Sequence, residues 1–293
     1  MIYHKSVLVK EVLEYLNIKD SGLYLDLTFG GGGHSKAILE YNKKARVIAL
    51  DIDQDALNIN GPQLEEKFKD RFKFLWGNFS NIVNILKKES IEKVDGILAD
   101  FGTSQFQINN KPGFSFNNDS YLDMRMSKAH TRLKAYDIVN YFPKSTLIKI
   151  FSEYGQEIYS KKIAEEIIKH RENIGKIKTA KELNNIIKQS LNLKYKPKID
   201  PATKVFQALR IYVNDELNNI KSLLSKVDNI LNNQGRLVFI SFHSLEDTLV
   251  KNFLKENIDK LKILTPKVIK PDISEIKVNP SSRSAKLRAA EKY

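Results

Sequence analysis

At 293 residues and 42% hydrophobic content, the chain is long enough for one large α/β domain, or for a domain of roughly 190 residues carrying a second of roughly 100. Zero cysteines exclude disulfides, zinc–thiolate sites and a cysteine nucleophile. No apolar run reaches the ~18 residues of a membrane span and the N-terminus has no signal-peptide core, so a cytoplasmic chain that does not enter a membrane is expected. Lys plus Arg number 48 against 35 Asp plus Glu, a formal charge of +13, with 16 of the basic and 8 of the acidic residues between positions 128 and 200. That concentration points to an anionic partner, although a solvated helical face carries charge in the same way.

In chain order, Ser6 is placed to cap a helix whose apolar face is Val9, Val12, Leu13 and Leu16, ending near Asp20-Ser21-Gly22. A short apolar run closing in Asp26 is the first strand. Ala45 to Asp51 is the second. A helix then starts near Asp53 and Asp55, and Gly61-Pro62 is expected to interrupt it. Phe72 to Trp76 forms the third strand, an amphipathic stretch through Ile82, Val83, Ile85 and Leu86 the next helix, and Val94 to Asp100 the fourth strand. The alternation then stops. After a loop from Gln105 to Met126 only helical patterns follow: Tyr136 to Phe142, Ser145 to Phe151, Tyr159 to His170 and Ala180 to Leu191, then a basic, Pro-flanked linker from Lys194 to Pro201. The α/β pattern resumes with a helix from Thr203 past Leu217, helical sequence to Leu231, a strand from Arg236 to Ser241 and a helix from Leu245 to Asn257. Strands at Leu261 to Val268 and Ala285 to Glu291 complete it. The expected fold is a Rossmann-like, doubly wound, mostly parallel sheet of about seven strands, residues 1–105 and 201–293, carrying an inserted helical domain for substrate recognition, residues 106–200.

The most informative stretch is Asp26-Leu27-Thr28-Phe29-Gly30-Gly31-Gly32-Gly33-His34-Ser35, four glycines between a strand and a helical pattern. Glycine lets a ligand approach the backbone, and the N–H groups opening the helix supply donors. The dinucleotide fingerprint G-x-G-x-x-G fails in both registers, because the third glycine falls on Ser35 or Lys36, which disfavours a nicotinamide oxidoreductase. What remains is an acid closing the second strand, Asp51, placed to bind the two hydroxyls of a ribose or, alternatively, to cap the following helix. This layout resembles the class I S-adenosylmethionine-dependent methyltransferases. In the amino-directed members, an acid or amide after the fourth strand accepts hydrogen bonds from the target NH2; here the segment is Asp100-Phe101-Gly102-Thr103-Ser104, without the Pro-Pro those enzymes carry.

A closer resemblance runs over nearly the whole chain. Its segments include Thr28-Phe29-Gly30-x-Gly32-Gly33-His34-Ser35, Asp51-x-Asp53, Asp95-Gly96-Ile97-Leu98-x-Asp100-x-Gly102, Gly113-Phe114-Ser115-Phe116 and Leu122-Asp123-Met124-Arg125-Met126. Further on come Phe206-Gln207-Ala208-Leu209-Arg210-Ile211-x-Val213-Asn214, Ser241-Phe242-His243-Ser244-Leu245-Glu246-Asp247 and Asn279-Pro280-x-x-Arg283-Ser284. By these the chain is similar to the small-subunit ribosomal RNA methyltransferase H, or MraW, family. The resemblance implies S-adenosylmethionine-dependent N4-methylation of a cytidine in the decoding region of 16S rRNA, within the small ribosomal subunit. It implies cofactor contacts at Gly32, Gly33, His34, Asp51, Phe79, Asp100 and Gln107, and no metal; a homodimer stays open. Gln105 and Asn109 stand where the family has Ser and Asp, Tyr121 where it has Pro, and Lys204 where it has Arg.

Four further readings come from the residues themselves. Asp100 is the candidate acceptor for the amine, and His243 a candidate proton acceptor or a helix cap. Phe106, Phe114, Phe116 and Tyr121 are candidates to stack on a base splayed out of its helix, or to pin their own loop. Thr203, Gln207, Arg210 and Asn214 recur on one helical face that either lines a groove or meets solvent. Lys161, Lys162, Lys169, Arg171 and the Lys194 to Lys198 run are candidates for phosphate contacts. The rival readings are a methyltransferase of DNA or protein, and a ribosome-assembly factor without turnover.

Overall fold

The computed structural model describes residues 6–191 and 200–293; the predicted linker lies largely outside them. Seven strands, β1 (Leu23–Asp26), β2 (Arg46–Asp51), β3 (Phe72–Trp76), β4 (Val94–Asp100), β5 (Leu231–Ser241), β6 (Leu261–Ile263) and β7 (Lys286–Lys292), form one sheet of order β3-β2-β1-β4-β5-β7-β6. Pairs from β3 through β5 are parallel, and β7 runs antiparallel to both β5 and β6. The helices are α1 (Val9–Leu16), α2 (Gly33–Tyr41), α3 (Gln54–Phe68), α4 (Ile82–Lys88), α5 (Gln105–Asn110), α6 (Ala135–Tyr141), α7 (Lys144–Glu153), α8 (Ser160–Asn173), α9 (Ala180–Leu191), α10 (Ala202–Asn214), α11 (Glu216–Leu224), α12 (Val227–Ile230), α13 (Ser244–Glu256) and α14 (Ile273–Val278).

Alternation along each strand feeds two cores. On β1, Tyr24 joins Val12, Ile38, Val47 and Leu57 on one face, while Leu25, with Leu27 just past the strand, joins Ile97, Leu223 and Val250 on the other. Both faces are covered, so the central strands read as unbroken apolar runs rather than alternating ones. Among the described residues no helix is long and apolar enough to cross a membrane.

The chain divides into two compact units, residues 1–104 with 217–293, and residues 105–216. The second crossing falls after α10, beyond the linker at which the sequence places it. The reason is that Val205, Phe206, Ala208, Leu209 and Val213 of α10 are built into the apolar core of the helical unit, with Ile138, Phe151, Ile163 and Leu183. The polar face of α10 is spent inside the same unit. Arg210 grips the Glu216 carboxylate through Nε (2.8 Å) and Nη2 (2.9 Å), and Asn214 accepts from the Met126 N–H (2.8 Å) and donates to the Met124 carbonyl (2.8 Å). Gln207 Nε2 lies 3.5 Å from the Tyr154 carbonyl. These contacts tie the Leu122 to Met126 segment to α10, a use of the polar face that periodicity did not separate from a groove or a solvated surface.

Other local expectations need correction. Gly61-Pro62 does not interrupt α3: one backbone bond is lost at the proline, but a Cβ on Gly61 would sit 2.8 Å from the Phe74 ring, so the glycine lets the helix lie directly on β3 and continue. Ser6 does not cap α1, which begins after Leu8 in a left-handed conformation, with the Leu8 N–H donated to Glu275 (2.8 Å). The predicted long helix from Thr203 breaks at Asp215, also left-handed, because Glu216 turns back to meet Arg210. β6 is three residues long rather than eight, and β5 starts five residues early with a register shift against β4.

Candidate active site

The carboxyl ends of β1, β2 and β4 lie side by side in the sheet, so the acids that close them converge without any long-range coincidence in sequence. Between β1 and α2 the chain makes a tight turn. Gly32 is left-handed (φ 75°), and a Cβ there would meet the Phe29 ring at 2.9 Å; one on Gly33 would meet the Ser6 hydroxyl at 2.2 Å. Gly32 and Gly33 thus let Phe29 and Ser6 pack against the turn, and the first turn of α2 carries the free backbone N–H groups of any helix start.

Asp51 is fixed from its own side of the sheet. Its Oδ2 accepts from the Gly30 N–H (2.7 Å) and its Oδ1 from the Asp53 N–H (2.8 Å), which lock the carboxylate plane. Desolvation by burial pushes its pKa up to about 6, against those two donors. Helix capping is done by Asp53, which accepts from Asp55 N (3.1 Å), so the capping alternative does not use Asp51. Beyond it, exposed Trp76 donates its indole N–H to the Ile52 carbonyl (3.0 Å). Phe79 is half-buried, its ring 6.0 Å from that of Phe101.

Asp100 ends β4, its backbone N–H donated to the Thr28 hydroxyl (2.7 Å). Its Oδ2 lies 3.8 Å from His34 Nδ1, and its Oδ1 is buried with no hydrogen-bond partner among the described residues. Burial pushes the carboxyl up to about 7; His34 draws it down, and Asp26 and Glu246 push it further up. The His34 ring is buried at 4% exposure with Nε2 2.9 Å from the Val7 carbonyl. Asp26 is fully buried, accepting from Ser35 Oγ (2.7 Å) and the Thr28 N–H (3.3 Å); desolvation raises it as well.

His243 stands at the N-cap of α13. Its Nδ1 accepts from the Glu246 N–H (3.4 Å), while Glu246 Oε2 accepts from the Phe242 (2.7 Å) and His243 (3.3 Å) N–H groups. That reciprocal box uses Nδ1 as a cap, while Nε2, on the other side of the ring, lies 3.1 Å from Glu246 Oε1. Gln107 is buried on α5 in the helical unit. In that unit Phe116 meets Phe206 edge-on at 5.4 Å and Tyr121 stacks on Tyr136 at 5.3 Å, while Arg171 donates to the Val139 carbonyl (3.0 Å). Lys161, Lys162 and Lys169 are exposed. The Lys194 to Lys198 run lies outside the described residues.

Thr28, Ser35 and Glu246 were missed as contributors to this cluster. Only Glu246 left a local signal, as the acid three residues after a cap. The residues present fit an adenosyl cofactor: a glycine turn leading into a helix start, a locked carboxylate on the neighbouring strand, and a buried carboxylate oxygen without a donor among the described residues. Fold and site together define a class I S-adenosylmethionine-dependent methyltransferase.

Within that class, the MraW methylase family profile matches residues 1–293, and the chain belongs to this family. It is 45% identical over 296 residues to the ribosomal RNA small subunit methyltransferase H of Sulfurihydrogenibium azorense, covering 100% of both chains. The protein of the same name from Clostridioides difficile is 41% identical over 312 residues, covering 99% of each. Among solved structures, an rRNA methylase from Streptococcus thermophilus aligns over 100% of this chain and 98% of its own at 10% identity and a TM-score of 0.47, too distant to weigh further.

Proposed function

We propose that the protein methylates the exocyclic N4 of a cytidine in the decoding region of small-subunit rRNA, acting in the cytoplasm on the assembling or assembled subunit. The relatives' shared name supports rRNA as the substrate, and the helical unit, rich in basic residues, is the part we assign to recognising it. The observation that carries the chemistry is the buried Oδ1 of Asp100 at the carboxyl end of β4, which has no hydrogen-bond partner among the described residues. An exocyclic amine on cytosine is a poor nucleophile because its lone pair is delocalised into the ring; an acceptor on its hydrogens favours the form whose lone pair is available.

S-adenosylmethionine, when bound, supplies a sulfonium-activated methyl group. Gly32, Gly33 and the His34 backbone offer the glycine turn and the donors of α2, Asp51 the acceptors for ribose hydroxyls and Phe79 an apolar face for adenine; Gln107 is a further cofactor contact that the family resemblance implies. Asp100 aligns the amine and takes the proton it loses. No metal is required, and the protein's contribution is alignment and a partly desolvated site. A base within a stack does not reach such a site, so the cytidine enters splayed out.

The test is transfer of labelled methyl from S-adenosylmethionine to unmodified small subunits, naked rRNA, DNA and protein, followed by mass spectrometry of the decoding region. Label on a cytidine of that region supports the reading. Label confined to DNA or protein overturns the substrate, and absence of any transfer at saturating cofactor favours an assembly factor.

A further inference from the structure

We infer that His34 is a positioning residue for Asp100, holding that carboxylate free of a proton and turned so that Oδ1 meets the target amine. This rests on the reading of Asp100 as the group that accepts the amine's proton.

The argument begins at Val7. A carbonyl oxygen only accepts, so the 2.9 Å contact with His34 Nε2 requires a proton on that nitrogen whatever the charge of the ring. Nδ1 is then the nitrogen left facing Asp100 Oδ2, 3.8 Å away. A neutral ring of this tautomer and a bare carboxylate would oppose lone pair to lone pair; a proton on Nδ1 of the ring turns repulsion into attraction and leaves the carboxylate bare. The ring has little freedom to turn aside. It is 4% exposed, and its neighbour Gly33 is pressed beneath Ser6.

The surroundings make the contact consequential. The charged groups set against Asp100 are His34 from α2 and the two fully buried acids, Asp26 from β1 and Glu246 from α13, the latter with His243 Nε2 3.1 Å from its Oε1. Burial and the two acids favour the protonated form of Asp100, and His34 works against them. In the reaction the N4 lone pair closes the new N–C bond, the electron pair of the broken S–C bond stays on sulfur, and one N4 proton passes to Asp100 Oδ1. A carboxyl already protonated has no place for it.

Three measurements decide the matter. In the unaltered protein without cofactor, 15N-histidine NMR is expected to show the His34 proton on Nε2 at all pH values where the ring is neutral; a proton on Nδ1 instead overturns the proposal, and this reading does not depend on any variant folding. With 13Cγ-aspartate labelling, and the Asp100 signal assigned by its loss in Asp100→Asn, the His34→Asn variant is expected to raise the Asp100 midpoint by about one pH unit or more. The acid limb of the kcat profile is expected to move up with it, with the rate recovering at high pH. A His34→Asn variant that leaves the Asp100 midpoint in place, or lowers kcat by the same factor at every pH, overturns the positioning role. Full activity in Asp100→Asn removes the acceptor reading itself, and the role of His34 with it.

Discussion

Replacing Asp100 by Asn is expected to stabilise the protein while abolishing its chemistry. Burial lifts this carboxyl from 3.8 to about 7, so the charged form is the one penalised by folding. The lift is about 3 units at ~1.36 kcal/mol each, a ceiling of about 4 kcal/mol. Relaxation of the surroundings and an effective dielectric well above that of dry protein reduce the expected value to about 2 kcal/mol. The sign follows from the direction of the lift. The penalty is fully present above pH 7, declines as pH falls through the folded-state value, and is gone below the unfolded-state value of 3.8, where both states are protonated. Urea unfolding without cofactor should therefore find Asp100→Asn more stable than the parent near pH 8 by about 2 kcal/mol, the gap closing toward pH 4. Methyl transfer near pH 8 should fall at least ~100-fold, the scale of a lost proton acceptor. A variant that is less stable near pH 8, or whose advantage does not change with pH, refutes the assignment of buried charge to this side chain.

Gly33→Ala should destabilise the protein by about 1–3 kcal/mol and weaken S-adenosylhomocysteine binding in calorimetry, because its Cβ falls 2.2 Å from Ser6 Oγ. Ser6→Ala should restore part of both losses, and additive effects in the double variant would show that the two residues do not collide. Arg210→Ala leaves the Glu216 carboxylate buried without its bidentate partner and should cost about 3 kcal/mol in urea unfolding; a loss under ~1 kcal/mol would mean that solvent reaches that carboxylate. Affinity for the RNA substrate should fall linearly on a log–log plot against salt. Removing Lys161, Lys162 or Lys169 should flatten that slope by about 1 for each residue that touches a phosphate, and an unchanged slope removes that lysine from the interface.

Much of the architecture was legible because its signals are local. Strands β1 to β4 and their spacing follow from apolar runs closed by acids, and the helical insertion from the loss of strand patterns after Asp100. Misread elements were those whose local signal is overruled from a distance. Gly61-Pro62 reads as a break until Phe74 of the neighbouring strand is seen to need a residue without a side chain. Ser6 reads as a cap until its hydroxyl is found over Gly33. The α10 helix reads as part of the sheet domain because it follows the linker, yet its apolar face belongs to the core of the helical unit.

At the site the division is sharper. Glycines after β1 and acids at the strand tips are positions in a repeating pattern, and the chain's own order places them at one edge of a parallel sheet. From sequence alone, that was enough to give the fold and the class of cofactor, and to bring Asp51 and Asp100 forward as candidates. The state of those carboxylates was beyond its reach. That Asp100 keeps one oxygen without a partner and turns the other to His34, that His34 is anchored by the Val7 carbonyl, and that Thr28, Ser35 and Glu246 complete the cluster depends on side chains brought within a few ångströms by folding. Burial and the direction of a lone pair belong to the packed interior, and they decide which acid is ready to take a proton.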